Sequence, residues 1–241
     1  MKICYLDAFS GISGDMTVGA LMDAGAPSDD VLDALRSLNT GAQYEIQKTA
    51  RRGISASKFR VHLDQSPQKH RHLSHILKMI DAAPLSSRAK TNASAVFEKL
   101  GQAEAKVHGV PIEKVHFHEV GAADSIADIV GACVALDLMG VEEVHISAIN
   151  VGSGTVETEH GTLPVPAPAT AALLAGMPIY ARGPAMELTT PTGAALAATL
   201  ASSFGSLPAE KAWKRPAPSF CRIDSARIER AELPVQRNST L

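Results

Sequence analysis

Apolar positions along the chain recur regularly enough to lay out most of its elements. Residues 2–7, KICYLD, read as a short buried strand running into the turn Phe9-Ser10-Gly11-Ile12-Ser13-Gly14-Asp15-Met16. A helical pattern with Met16, Leu21 and Met22 follows and stops at Gly25-Ala26-Pro27. Ser28 is placed to cap the next helix, whose stripe is Val31, Leu32, Leu35 and Leu38. Residues 42–50 and 54–63 read as two strands joined as a hairpin at Arg51-Arg52-Gly53. A polar loop over 65–72 leads to helices over 73–83 and 86–108. The second of these carries Val96, Phe97, Leu100, Ala103 and Val107 and ends at Gly109 and Pro111.

The period then changes twice within one stretch, VHFHEVGAADSIADIV, residues 115–130. Over 115–120 the alternation is that of a strand, with His116 and His118 on one face and Val115 and Phe117 on the other. Gly121 breaks it. From about Asp124 a helical stripe of Ile126, Ile129, Val130, Cys133 and Leu136 takes over and runs to Gly140. Asp124 is a candidate N-cap, and Asp128 lies one turn further on.

The rest of the chain is read in shorter pieces. A strand is expected over 144–151, a turn at Gly152-Ser153-Gly154, and a helix over 169–175 opened by Pro168. A short strand over 179–181 precedes a last helix from Thr189-Thr190-Pro191-Thr192-Gly193 to about 204. Beyond about Lys211 no period is visible. The fold expected is α/β, with α+β as its alternative: a mixed sheet, flanking helices and a hairpin near 42–63. The domain expected is 1–207, with 208–241 an irregular tail or linker.

Composition narrows the function classes. The 241 residues carry a formal net charge of -2 and only 4 % aromatics, so neither a basic nucleic-acid face nor a base-stacking surface is expected. The three cysteines, Cys4, Cys133 and Cys221, are widely spaced and odd in number, against a disulfide framework or thiolate zinc site. No leader-like or membrane-spanning apolar run is seen, and a cytoplasmic location is expected.

Four groups carry candidate chemistry. His116, His118 and Glu119 with Asp124 and Asp128 are hard and borderline metal ligands at one strand-to-helix junction; the alternative is a solvated, self-paired turn. The Ser10, Gly11, Ser13, Gly14 turn suits a phosphate backed by the helix N-terminus. Asp7 and Asp15 suit a phosphate bridged by a cation, or simply a tight βα turn. His70, His72 and His75 form an alternative transition-metal cluster, or a loop entering a helix, and His160 is a further candidate ligand. Thr189, Thr190, Thr192 and Gly193 form an anion site or an N-cap followed by proline. No GxSxG elbow marks a serine nucleophile.

Together these runs resemble one family. Asp7-Ala8-Phe9-Ser10-Gly11-Ile12-Ser13-Gly14-Asp15-Met16, His116-Phe117-His118-Glu119-Val120-Gly121-Ala122, Asp124-Ser125-Ile126, Asp128-Ile129, His160-Gly161 with Leu163 to Pro168, and Glu187 to Gly193 are similar to signature runs of the LarC nickel insertion proteins. The resemblance covers about 1–207. It implies nickel insertion into pyridinium-3,5-bisthiocarboxylic acid mononucleotide during synthesis of the lactate racemase cofactor, a cyclometallation forming metal–sulfur and metal–carbon bonds. It also implies CTP with manganese or magnesium, and a nucleotide site in a C-terminal domain encoded separately or through a frameshift; a homo-oligomer is a separate expectation. The alternatives are a non-catalytic nickel-binding and assembly module, or a metal-dependent phosphohydrolase using the same carboxylates.

Overall fold

The computed structural model describes residues 2–51, 53–63, 71–117, 122–206 and 220–223. In chain order the first elements are β1 (Ile3–Leu6), α1 (Gly14–Asp23), α2 (Ser28–Arg36), β2 (Gln43–Arg51) and β3 (Ile54–His62). Next come β4 (Arg71–His72), α3 (Leu73–Ala82), α4 (Ser87–His108), β5 (His116–Phe117) and α5 (Ala123–Leu138). The remainder are β6 (Glu143–Ile146), β7 (Ile149–Asn150), β8 (Thr155–Thr158), β9 (Gly161–Pro164), α6 (Pro168–Leu173), β10 (Ile179–Tyr180), α7 (Pro191–Leu200), β11 (Ala201–Phe204) and β12 (Phe220–Ile223).

Strand β1 is apolar at every position, as a strand covered on both faces must be. It lies inside a four-stranded parallel sheet of order β11-β6-β1-β12. β2 and β3 form the expected antiparallel hairpin, which packs on α1. Parallel and antiparallel pairings with seven α-helices among the described residues make this an α/β fold.

Helix α5 forms the centre of the core. Its Ala, Val, Ile and Cys residues are buried on nearly every side, the mark of a helix surrounded by others rather than laid on a surface. It packs against α1, α2, α4 and α7. Small residues set these approaches: a Cβ on Gly131 would sit 3.2 Å from a Val18 methyl carbon. Cys4 and Cys133 are both buried, as their apolar neighbours predict.

Several local expectations are corrected. Ser28 is the first residue of α2 rather than its cap, and α5 is preceded by Ala122, which puts Asp124 inside the first turn. The strand expected over 144–151 is two, because the chain turns at Ser147, whose Oγ accepts the Ala8 N–H at 2.9 Å. The last helix stops at Leu200, and Ala201, Ser203 and Phe204 pair with β6, so sheet pairing overrides a helical pattern. β8 and β9 form a hairpin that four-residue strands are too short to announce. Phe220–Ile223, in the region without a period, pairs in parallel with β1.

Candidate functional site

The site is assembled by the segments that leave the carboxyl ends of β1 and β6, where open parallel sheets usually hold ligands. The segment after β1 meets the segment before α7. Ile12 bridges Thr189, and the Thr190 N–H donates to the Ile12 carbonyl at 3.2 Å. Two glycines make the contact possible. Gly11 has φ 87°, and a Cβ there would lie 1.8 Å from the Leu188 carbonyl oxygen. A Cβ on Gly193 would lie 2.1 Å from the Ile12 carbonyl oxygen.

Asn150, at the end of β7, ties a third segment to these two. Its side-chain N–H groups donate to the carbonyls of Phe9 at 2.9 Å and Arg182 at 2.8 Å. Its Oδ1 accepts from the N–H groups of Gly152 and Arg182. Its own carbonyl accepts from Thr189 Oγ1 at 2.8 Å. A buried amide with all its polar capacity in use is a rigid clamp. Asn150 escaped the sequence reading; the available signal was one amide closing an apolar strand.

Next to this clamp the N-terminal turns of α1 and α5 touch. A Cβ on Gly14 would lie 2.4 Å from Asp128 Cβ and 2.6 Å from its Oδ2. The Asp15 N–H donates to the Asp128 carboxyl, so Asp128 satisfies one of the open amides at the start of α1. Burial, then the negative charges of Asp15 and Asp124, hold the Asp128 carboxyl well above the usual carboxylate range, against the opposing effect of that hydrogen bond. Ser13 Oγ donates to Asp15, and Asp124 accepts from the Ser125 N–H at 2.7 Å. Three carboxyl groups from two separate sequence runs therefore share one neighbourhood. Asp7, on the β1 side, lies close enough to Tyr180 for its charge, after burial, to raise that phenol.

The helix start at 189–193 acts as a cap. Thr190 Oγ1 accepts the Gly193 N–H at 3.2 Å with proline at the first helical position. Thr189, Thr192 and Gly193 are buried behind it. Of the phosphate candidates, Asp7, Ser10, Asp15 and Thr190 reach solvent, whereas Gly11, Ser13 and Gly14 are buried.

The described candidate histidines fall into two places. His72 pairs with His116 across β4 and β5, and the His72 and His75 rings lie 5.9 Å apart. His160 does not join them: its ring lies 5.0 Å from that of His108, whose Nε2 is 3.5 Å from Glu104. The β8–β9 hairpin carries His160 to the end of α4. His70, His118 and Glu119 lie outside the described residues. Among the described residues no group of three or more His, Cys, Asp or Glu side chains is placed to hold a metal ion. Nor, among them, is any helix long and apolar enough to cross a membrane.

Fold and site together define an α/β protein with acidic side chains gathered beside the carboxyl end of a parallel sheet. Residues 4–216 match the family model described as nickel insertion protein. The chain belongs to that family. It is 51 % identical over 211 residues to a putative nickel insertion protein of Geobacter sulfurreducens, covering 86 % of this chain and 54 % of the relative. It is 46 % identical over 221 residues to the pyridinium-3,5-bisthiocarboxylic acid mononucleotide nickel insertion protein of Geobacillus kaustophilus, covering 88 % and 54 % respectively. The chain thus spans about half the length of the curated relatives it matches. No solved structure matches it.

Proposed function

We propose that this chain is the N-terminal portion, domain 1–207 with 208–241 as linker, of an enzyme inserting nickel into pyridinium-3,5-bisthiocarboxylic acid mononucleotide. The family and the name of the Geobacillus kaustophilus relative support the reaction. The observation that carries the site is the meeting of Asp128 with Gly14 and Asp15, which joins two of the family-like runs. A buried carboxyl surrounded by like charges is costly to keep, and such costs concentrate at functional positions.

In this reading nickel is a substrate. His116, His118 and Glu119 begin its ligand set, and Asp124 and Asp128 complete it or orient the histidines. Mixed imidazole and carboxylate ligands release a cation more readily than four thiolates, as delivery requires. Asp7, Ser10 and Asp15 face the nucleotide's phosphate, the two acids through a divalent cation. Their oxygens are the hard donors that manganese or magnesium prefers, and such an ion, when bound, neutralises phosphate charge. CTP use is expected from a C-terminal domain, supplied as a partner or as continuing chain. A cytoplasmic location and homo-oligomers complete the proposal.

The test is reconstitution. The chain is mixed with nickel chloride, the thiocarboxylate precursor, CTP and magnesium or manganese, with and without the C-terminal portion of the Geobacter sulfurreducens relative. Nickel-containing product is followed by mass spectrometry. Product is expected only in the complete mixture, and at least tenfold less with Asp128→Asn or Asp15→Asn. Undiminished product with both variants would remove the carboxylates from the reaction.

A further inference from the structure

Strand β10 brings to the site two residues that no sequence motif marks, Tyr180 and, just beyond it, Arg182. The pairing of β10 with β7 sets Tyr180 opposite Asn150, and the Val151 N–H donates to the Tyr180 carbonyl at 2.9 Å. β7 itself ends at Asn150, and the Asn150 side chain extends the pairing. Its Oδ1 accepts the Arg182 N–H at 3.1 Å, and its Nδ2 donates to the Arg182 carbonyl at 2.8 Å. Both backbone groups of one exposed residue are thus held by a buried amide. The Tyr180 hydroxyl donates to the Phe9 carbonyl at 3.2 Å, the same carbonyl that Asn150 grips. Arg182 is therefore tied to the segment that follows β1. The Tyr180 phenol feels both charged neighbours: burial and then Asp7 raise it, and Arg182 opposes them. A guanidinium and the Asp7 carboxylate thus share the rim of the acidic site.

We infer that Arg182, held in place by Asn150, is the receptor for the phosphate monoester of the mononucleotide substrate. The inference rests on the function proposed above and deepens it by naming the group that takes the substrate's charge. Asp7, Asp15 and Asp124 alone would repel an anionic substrate, so a fixed cation at their rim has a purpose. Among the described residues no carboxylate pairs with the Arg182 guanidinium. Its planar fork of N–H donors matches two phosphate oxygens at once, which an ammonium cannot do. Ser10, next to the gripped Phe9 carbonyl and reaching solvent, offers a hydroxyl to a further oxygen. Insertion takes place at the thiocarboxylate end of such a substrate. The phosphate is its remote handle, and binding there positions the reacting end. Because the backbone of Arg182 is already clamped, less order has to be imposed when the phosphate arrives.

The experiment is calorimetric titration of the chain with pyridinium-3,5-bisthiocarboxylic acid mononucleotide and, separately, with the same nucleoside lacking its phosphate. Arg182→Gln and Arg182→Lys are compared with the parent, and Arg60→Gln, at an exposed arginine of β3, controls for loss of charge. The Asn150 hydrogen bonds go to the Arg182 backbone and survive these substitutions, and circular dichroism checks that each variant is folded. The parent is expected to bind the mononucleotide about tenfold or more tighter than the nucleoside, as hydrogen bonds to a charged group allow. Arg182→Gln is expected to lose that preference by weakening the mononucleotide alone. Arg182→Lys is expected to fall between the two, since it keeps the charge without the fork, and Arg60→Gln to match the parent. Equal mononucleotide affinity in the parent and folded Arg182→Gln would overturn the assignment, as would a parent that binds neither compound. An equal loss for both compounds would overturn it too, placing Arg182 on a thiocarboxylate. The reconstituted insertion reaction separates this inference from the function it rests on. Arg182→Gln making product at the parent's precursor concentrations would remove the receptor and leave the function standing. A parent that binds with phosphate preference but makes no product would keep the receptor and remove the function.

Discussion

Gly14 and Asp128 are pressed together so closely that a single methyl group on Gly14 would overlap the Asp128 side chain, its Cβ falling 2.4 Å from Asp128 Cβ. The contact places the start of α1 on the first turns of α5, and through α5 on the centre of the core. Because the conflict is with Asp128 Cβ rather than a free carboxylate end, rotation of the side chain does not relieve it. Gly14→Ala is expected to destabilise the chain by about 1–3 kcal/mol, the usual cost of overpacking a close interface. Urea unfolding of the two proteins checks this, and equal midpoints would contradict the contact.

The Asp128 carboxyl has its own signature in pH. Its ordinary value, 3.8, applies to the unfolded chain, and the folded value is well above it. The folded state therefore holds this proton more tightly. Its contribution to stability is fully present below pH 3.8 and is lost as pH rises through the folded value. Asp128→Asn carries no such charge. It is expected to gain stability relative to the parent steadily from pH 4 upward, with a thermal-unfolding difference largest at neutral pH. A constant difference across that range would show that Asp128 is not raised.

Removal of the Asn150 side chain strands several groups at once. Asn150→Ala leaves the Phe9 and Arg182 carbonyls and the Gly152 and Arg182 N–H groups without their amide partner. A loss of roughly 2–3 kcal/mol is expected from unsatisfied buried groups. Hydrogen exchange is the sharper measurement, with faster exchange expected at Gly152 and Arg182 while the β2–β3 hairpin keeps its protection.

Burial pushes the Cys133 thiol up to about 12. The thiolate is the reactive form, so Cys133 is expected to resist iodoacetamide at neutral pH in the native chain and to react once urea unfolds it. Peptide mapping by mass spectrometry distinguishes it from the other cysteines.

Much of the fold was legible because its signals are local. Ser86 accepts the Ala89 N–H at the start of α4, and Gly109 closes that helix in the left-handed conformation, as the spacing of those residues predicts. Thr190 and Pro191 open α7 for the same reason. The hairpin of β2 and β3 follows from two runs on either side of a glycine turn. The carboxylates at 124 and 128 were visible as residue types, but their meeting with Gly14 and Asp15 was not, since about a hundred residues separate the two runs. The true end of α7 was hidden because Ala201–Phe204 are held as a strand by β6 rather than by any preference of their own.

By itself the sequence determined the helical and strand periods, the caps, the apolar helix at the centre and the family-like runs. Each of these follows from backbone geometry and burial within a few residues of chain. Only the tertiary structure decided which runs meet: Ile12 with Thr189, Gly14 with Asp128, and His72 opposite His116 in strand register. Those meetings depend on strand order and register, which arise when distant segments compete for the same sheet edges and the same core volume, and no local pattern encodes that outcome.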